Sequence, residues 1–132
     1  MKLITRDVER LRGCDEQLVA IVLDILTAMD AIGFPMFVTQ GFRTVAQQQA
    51  LYAQGRTAPG AIVTHMDGVI KVSKHQSGRA VDLAFIDDPD TPKVEVFDPT
   101  QPWDLMGLMA EKRGLIFGGR WKMQDLPHVE LP

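Results

Sequence analysis

Cysteine is nearly missing from this 132-residue chain: Cys14 stands alone. One thiol closes no intramolecular disulfide and builds no cysteine-rich zinc site, so any metal must be held by histidine and carboxylate. Positive charge is also in short supply. The chain carries 14 Lys and Arg against 17 Asp and Glu, a net charge of −3. That provides no cationic field for a phosphate backbone and argues against a nucleic-acid partner. Long apolar runs are lacking too. The longest stretch, residues 18–26, is interrupted by Asp24 and is too short to cross a bilayer. The opening Met1-Lys2-Leu3-Ile4-Thr5-Arg6-Asp7 goes straight into charge, without the apolar segment of a secretory signal. Stable membrane insertion is therefore not expected, and the expected location as synthesised is the cytoplasm.

Hydrophobic residues make up 45% of the chain, enough for one core, and the length predicts one domain over residues 1–132. From Asp15 onward, Leu18, Ile21, Val22, Ile25, Leu26 and Met29 recur at helical spacing until Gly33 and Pro35 stop the run. Residues 34–39 read as a short buried strand ended by Gly41. Thr44 caps a second helix that runs through Gln47, Leu51 and Tyr52 to Gly55. Residues 55–78 are loop-like, with at most short strands at 62–64 and 69–72, and a loop of that length is commonly functional. Residues 80–85 read as a strand, 87–90 as a turn and 94–97 as an edge strand. Trp103, Leu105, Met106, Leu108 and Met109 form a third helix ending near Gly114, and 115–117 and 128–131 are the last strands. The expected fold is α+β, with about three helices and a small, mostly antiparallel sheet.

His75 and Asp82 lie seven residues apart in Ser73-Lys74-His75-Gln76-Ser77-Gly78-Arg79-Ala80-Val81-Asp82. Fully extended, they would stand roughly 23 Å apart on opposite faces. Sharing an ion requires the chain to turn, and Gly78 between them permits it. Along the strand, Ala80, Asp82 and Ala84 share one face, and Val81, Leu83 and Phe85 the other. His128 and Glu130 likewise point one way while Val129 and Leu131 point into the core. Two such strands side by side bring His75, Asp82 and His128 together. Two imidazoles and a carboxylate, with a fourth position open to water, are the donor set of a catalytic zinc. The same residues also read as satisfied loop histidines and a salt-bridge acid, and spacing leaves both readings open.

Ser73-x-His75-x-x-Gly78-x-Ala80-x-Asp82 matches every fixed position of the S-x-H-x-x-G-x-A-x-D signature of the peptidoglycan-cleaving D-Ala-D-Ala and L-alanyl-D-glutamate metallopeptidases. Gly41-Phe42-Arg43-Thr44 resembles their G-[YF]-R-[ST] motif. The run from Gln48 through Leu51, Tyr52, Gly55, Arg56, Pro59 and Gly60 to Thr64 resembles the helix and loop that follow it. Trp121-Lys122-x-x-Asp125-x-Pro127-His128 resembles the closing segment. The four blocks stand in order across roughly residues 35–131. The resemblance implies a hedgehog/D-Ala-D-Ala-peptidase-like fold, Zn²⁺ held by His75, Asp82 and His128, Asp125 as general base, and Arg43 over the scissile carbonyl. Much of the dipeptide-cleaving side of the family uses Glu as the base. The Asp here resembles the L-alanyl-D-glutamate endopeptidases carried by bacteriophages.

What the resemblance implies is a zinc metallopeptidase acting on peptidoglycan stem peptides as a phage or prophage endolysin. It would work as a monomeric catalytic domain without a separate wall-binding domain. It would be made in the host cytoplasm and reach the wall once a holin opens the membrane. The alternatives are a D-Ala-D-Ala dipeptidase or carboxypeptidase, and a non-catalytic zinc-stabilised wall-binding module. Ser73 reads as a loop residue that hydrogen-bonds near the ligands; a serine nucleophile lacks a spare histidine base. Glu130 is either a partner of His128 or a solvated carboxylate, and Trp121 either lines the cleft or packs in the core. Trp103 and the methionines read as core, His65 as an exposed loop residue, Cys14 as inert, and the 87–90 acids as a turn rather than a calcium loop.

Overall fold

The computed structural model describes residues 4–69, 73–86 and 100–132. Four helices and four strands are described: α1 Ile4–Arg10, α2 Glu16–Ala31, β1 Met36–Gln40, α3 Val45–Ala53, β2 Ala80–Phe85, α4 Trp103–Lys112, β3 Ile116–Phe117 and β4 His128–Glu130. The sheet is antiparallel throughout, in the order β1-β2-β4-β3, and the fold is α+β as expected.

The helices form where the sequence supplies both a stripe and a cap. In α2, Leu18, Val22, Ile25, Leu26 and Met29 are buried, and the Asp15 carboxylate accepts from the Gln17 and Leu18 amides at its start. In α3, Thr44 and Gln47 form a reciprocal capping box, the hydroxyl accepting from the Gln47 amide and the Gln47 side chain from the Thr44 amide. The stripes of α2 and α4 join Met36 and Val38 of β1, Val81, Leu83 and Phe85 of β2, and Val129 of β4 in one core. Trp103 is part of it, its ring set edge-on against Phe85 at 4.8 Å. With apolar side chains committed to the helix-covered face, alternation leaves Asp82 on the opposite face of the sheet.

The sequence reading did not mark α1, and the reason is tertiary. This short helix lies against β1, the outer strand, whose free edge needs partners. Asp7 accepts the outward Val38 amide at 2.9 Å, and Arg10 donates to the Val38 carbonyl at 2.7 Å. The Arg6 guanidinium sits 5.1 Å from the Phe37 ring. The strand expected at 62–64 is not formed: Ile62 and Val63 are exposed, and among described residues only a Gln54–Ala58 bridge pairs this loop. The expected strand at 69–72, beyond Val69, the acidic turn at 87–90 and the edge strand at 94–97 lie outside the described residues.

Candidate active site

Register brings the site together. Asp82 on β2 pairs with His128 on β4, and on its other side with Gln40, which a shift between Val38 and Gln40 brings opposite it. Gln40, Asp82 and His128 therefore form one row across three strands. His75 enters from the loop before β2. Gly78 turns that loop with φ +70°, and a Cβ there would lie 2.5 Å from the Gly13 carbonyl oxygen. Only glycine fits that approach.

The rings and carboxylates converge as follows. Asp82 Oδ1 lies 3.4 Å from His75 Nε2 and 3.2 Å from His128 Nδ1. The donor atoms of His75, Asp82 and His128 all lie within 4.8 Å of one another. His75 is buried, and its Nδ1 is 2.8 Å from the Gly41 carbonyl. A carbonyl only accepts, so Nδ1 carries the proton and Nε2 presents its lone pair to the cluster. Burial alone would raise the Asp82 carboxyl, but its close contacts with the His128 and His75 rings outweigh that and hold it well below the usual range. Burial alone would lower His128; the Asp82 and Glu130 carboxylates win and raise it. Donors ~3.4 Å apart match the edge of a tetrahedron with ligands at ~2.0–2.1 Å, the spacing of a zinc site. With two imidazoles and one ionised carboxylate converging, the residues present fit a divalent zinc ion.

Asp125 lies three residues before His128, in a turn closed by the His128 amide on the Asp125 carbonyl at 3.2 Å. Its Oδ2 is 3.7 Å from His128 Nδ1, and the side chain is 47% exposed. Burial and then the nearby Asp82 charge push its carboxyl upward, opposed by His128, His75 and Arg43. Arg43 follows β1 and is oriented by two glutamines, with Nε donating to Gln40 Oε1 and Nη1 to Gln48 Oε1, each at 2.9 Å. Its Nη2 stands 3.8 Å from Asp82 Oδ2. Burial lowers its pKa, though the Asp82 and Asp125 charges oppose the shift.

The structure thus gathers Arg43, His75, Asp82, Asp125 and His128. Trp121 lies beside them, its ring 5.0 Å from that of His128 and its side chain partly exposed, so it lines the cleft rather than the core. Ser73 stands one step back; its hydroxyl accepts the His75 amide at 3.2 Å and shapes the turn. Glu130 is buried, which corrects the solvated reading: its Oε1 lies 2.8 Å from His128 Nε2. His65 remains exposed on its loop, 3.5 Å from Arg56. Sequence reasoning missed Gln40, which orients Arg43, and Gln48 and Lys74, which have partners on other segments. Gln48 had one signal, its fixed place in the helix block, and it is fully buried, donating to Thr64 Oγ1 and the Met66 carbonyl.

An antiparallel sheet with helices on one face and, on the other, a cluster able to hold a metal ion is an arrangement that can be compared with known proteins. A family model described as D-alanyl-D-alanine carboxypeptidase matches residues 68–131. The peptidoglycan L-alanyl-D-glutamate endopeptidase CwlK of Bacillus subtilis (strain 168) is 34% identical over 105 residues, 75% of this chain and 62% of that protein. The chain thus spans less than two thirds of that relative's length. The Serratia marcescens L-Ala D-Glu endopeptidase ChiX aligns at 25% identity with a TM-score of 0.64, over 96% of this chain and 86% of that one. The vancomycin-resistance D,D-pentapeptidase VanY of the VanB-type cassette, solved with Zn(II), aligns at 19% identity and a TM-score of 0.60, over 89% of this chain and 72% of that one. That last likeness bears on the fold alone. The chain is similar to the D-alanyl-D-alanine carboxypeptidase family of M15 peptidases over residues 68–131 and to these endopeptidases over most of its length.

Proposed function

We propose that this chain is a zinc-dependent endopeptidase that hydrolyses the L-alanyl-D-glutamate bond of peptidoglycan stem peptides, as a single catalytic domain in phage or prophage lysis. The observation that carries the reading is the His75–Asp82–His128 cluster with the Asp125 carboxylate 3.7 Å from the His128 ring. Both CwlK and ChiX bear the name of L-alanyl-D-glutamate endopeptidases, which supports the choice of bond. The aspartate at 125, similar to the base of phage enzymes, supports the lytic role.

Each residue has a distinct task. His75, Asp82 and His128 would hold the zinc, which would supply a Lewis acid able to bring the pKa of a water down to near 7. Asp125, partly exposed at the mouth of the cluster, takes a proton from the attacking water and returns it to the leaving amine as the C–N bond breaks. Arg43, fixed by Gln40 and Gln48, places its charge where the attacked carbonyl oxygen becomes negative. Preorganised by side chains already bonded in the folded protein, it needs no reorientation during the reaction.

Digestion of purified sacculi, with product identification by mass spectrometry, tests the proposal. New D-glutamate amino termini are expected, lost on adding a chelator. Release of D-alanine would instead favour a carboxypeptidase, the activity for which the matching family model is described. Asp125→Ala should abolish turnover without changing zinc content, and persistent turnover would refute the base assignment.

A further inference from the structure

The geometry points to Glu130 and Lys74 as positioning residues that fix the His128 ring in the tautomer a metal requires. The inference rests on the metal reading above and concerns how the chain prepares its second imidazole. His128 Nε2 is 2.8 Å from Glu130 Oε1, while Nδ1 faces Asp82 Oδ1 at 3.2 Å. Two carboxylates therefore compete for the one proton of a neutral ring. If Asp82 took it, the proton would sit on Nδ1 and block the nitrogen that faces the cluster. Glu130 has the shorter contact and is nearly buried, so it draws the proton to Nε2 and leaves the Nδ1 lone pair free. His75 carries the opposite assignment, with its proton on Nδ1 against the Gly41 carbonyl. The two rings thus offer different nitrogens to one point, each set by its own acceptor.

Lys74 completes the device. Its ammonium lies 2.5 Å from Glu130 Oε2 and donates to the Leu131 carbonyl at 2.9 Å. Glu130 would otherwise be a nearly buried carboxylate with a single ring contact, an expensive arrangement. Held from both sides, its carboxylate has one oxygen on Lys74 and the other on His128. Lys74 also adjoins His75 in sequence, and Glu130 is two residues from His128. One ammonium therefore ties the loop that carries the first imidazole to the strand that carries the second, which sets their spacing.

Two measurements test this, one of which needs no metal. Heteronuclear NMR of the imidazole nitrogens in metal-free protein, at alkaline pH where His128 is neutral, should show His128 protonated on Nε2. Glu130→Ala should move that proton toward Nδ1, and chelator competition should show zinc affinity falling about 10- to 100-fold. Glu130→Gln keeps an accepting oxygen and should recover part of the loss. Lys74→Met should keep the tautomer but weaken zinc binding by a smaller factor. A Glu130→Ala protein with the parental tautomer and affinity would overturn the inference; should that variant not fold, a Lys74→Met protein with undiminished zinc affinity would do so. Failure of the parent protein to take up zinc would sink the metal reading instead, and the metal-free ring signals would still decide the part played by Glu130.

Discussion

Asp7 carries a burial problem that its neighbours solve by half. Its Oδ1 accepts the Val38 amide, but its Oδ2 is buried without a hydrogen-bond partner among the described residues. Burial pushes the carboxyl above its usual range, more than the Val38 hydrogen bond and the Arg6 and Arg10 charges pull it down. The fold therefore favours the protonated form. That contribution is fully present below the unfolded value of ~3.9 and is lost as pH rises through the higher folded one. Asp7→Asn keeps the acceptor for Val38 and removes the charge. Melting temperatures of the two proteins between about pH 4 and 7 should diverge, with the parent losing ground as pH rises; parallel curves would contradict the account. At this scale His75, Asp82, His128, Arg43 and Asp125 were legible because each stands at a fixed place in a short motif. Gln40, Lys74 and the burial of Glu130 were not. Lys74 and Glu130 are 56 residues apart, and no local pattern records that one will neutralise the other.

At the scale of elements, α4 and the strand after it show how two rules can conflict. Gly107 lies inside α4, where alanine would ordinarily stabilise a helix by ~1 kcal/mol. A Cβ at that position, however, would lie 2.3 Å from the ring of Phe117, a buried side chain in β3. Overpacking a rigid aromatic costs about 1–3 kcal/mol and outweighs the propensity gain. Gly107→Ala should therefore destabilise the protein in urea unfolding, and a stabilised variant would show that α4 shifts freely away from the sheet. The spans of α2, α3, β1 and β2 were readable because their caps and periodicities are local. The helix α1 was not, since it is held by bonds from Asp7 and Arg10 to the edge of β1.

For the whole molecule, the three candidate ligands come from a loop, β2 and β4, so an ion bound there links segments that are separate in the chain. An ion that binds only the folded form stabilises it by about 2.7 kcal/mol at a free concentration 100 times Kd. Adding zinc to metal-free protein should raise Tm, and His75→Ala should flatten the response. An unchanged Tm in the parent protein would argue against an ion at this cluster. The same linkage explains why His75→Ala is expected to lower stability in the metal-loaded state and much less in the metal-free one.

Amino-acid order alone determined which chemistry was available: two imidazoles and an aspartate at motif spacing, a glycine that lets the loop double back, and alternating strands that reserve one face for polar groups. Those properties are local, since turn preference and side-chain alternation extend over a few residues. Tertiary structure decided how the groups meet. Strand register set Asp82 between Gln40 and His128, and the approach of distant segments brought Gln48 to Arg43 and Lys74 to Glu130. Such pairings depend on where the core drives the elements together, and a linear pattern carries no measure of that distance.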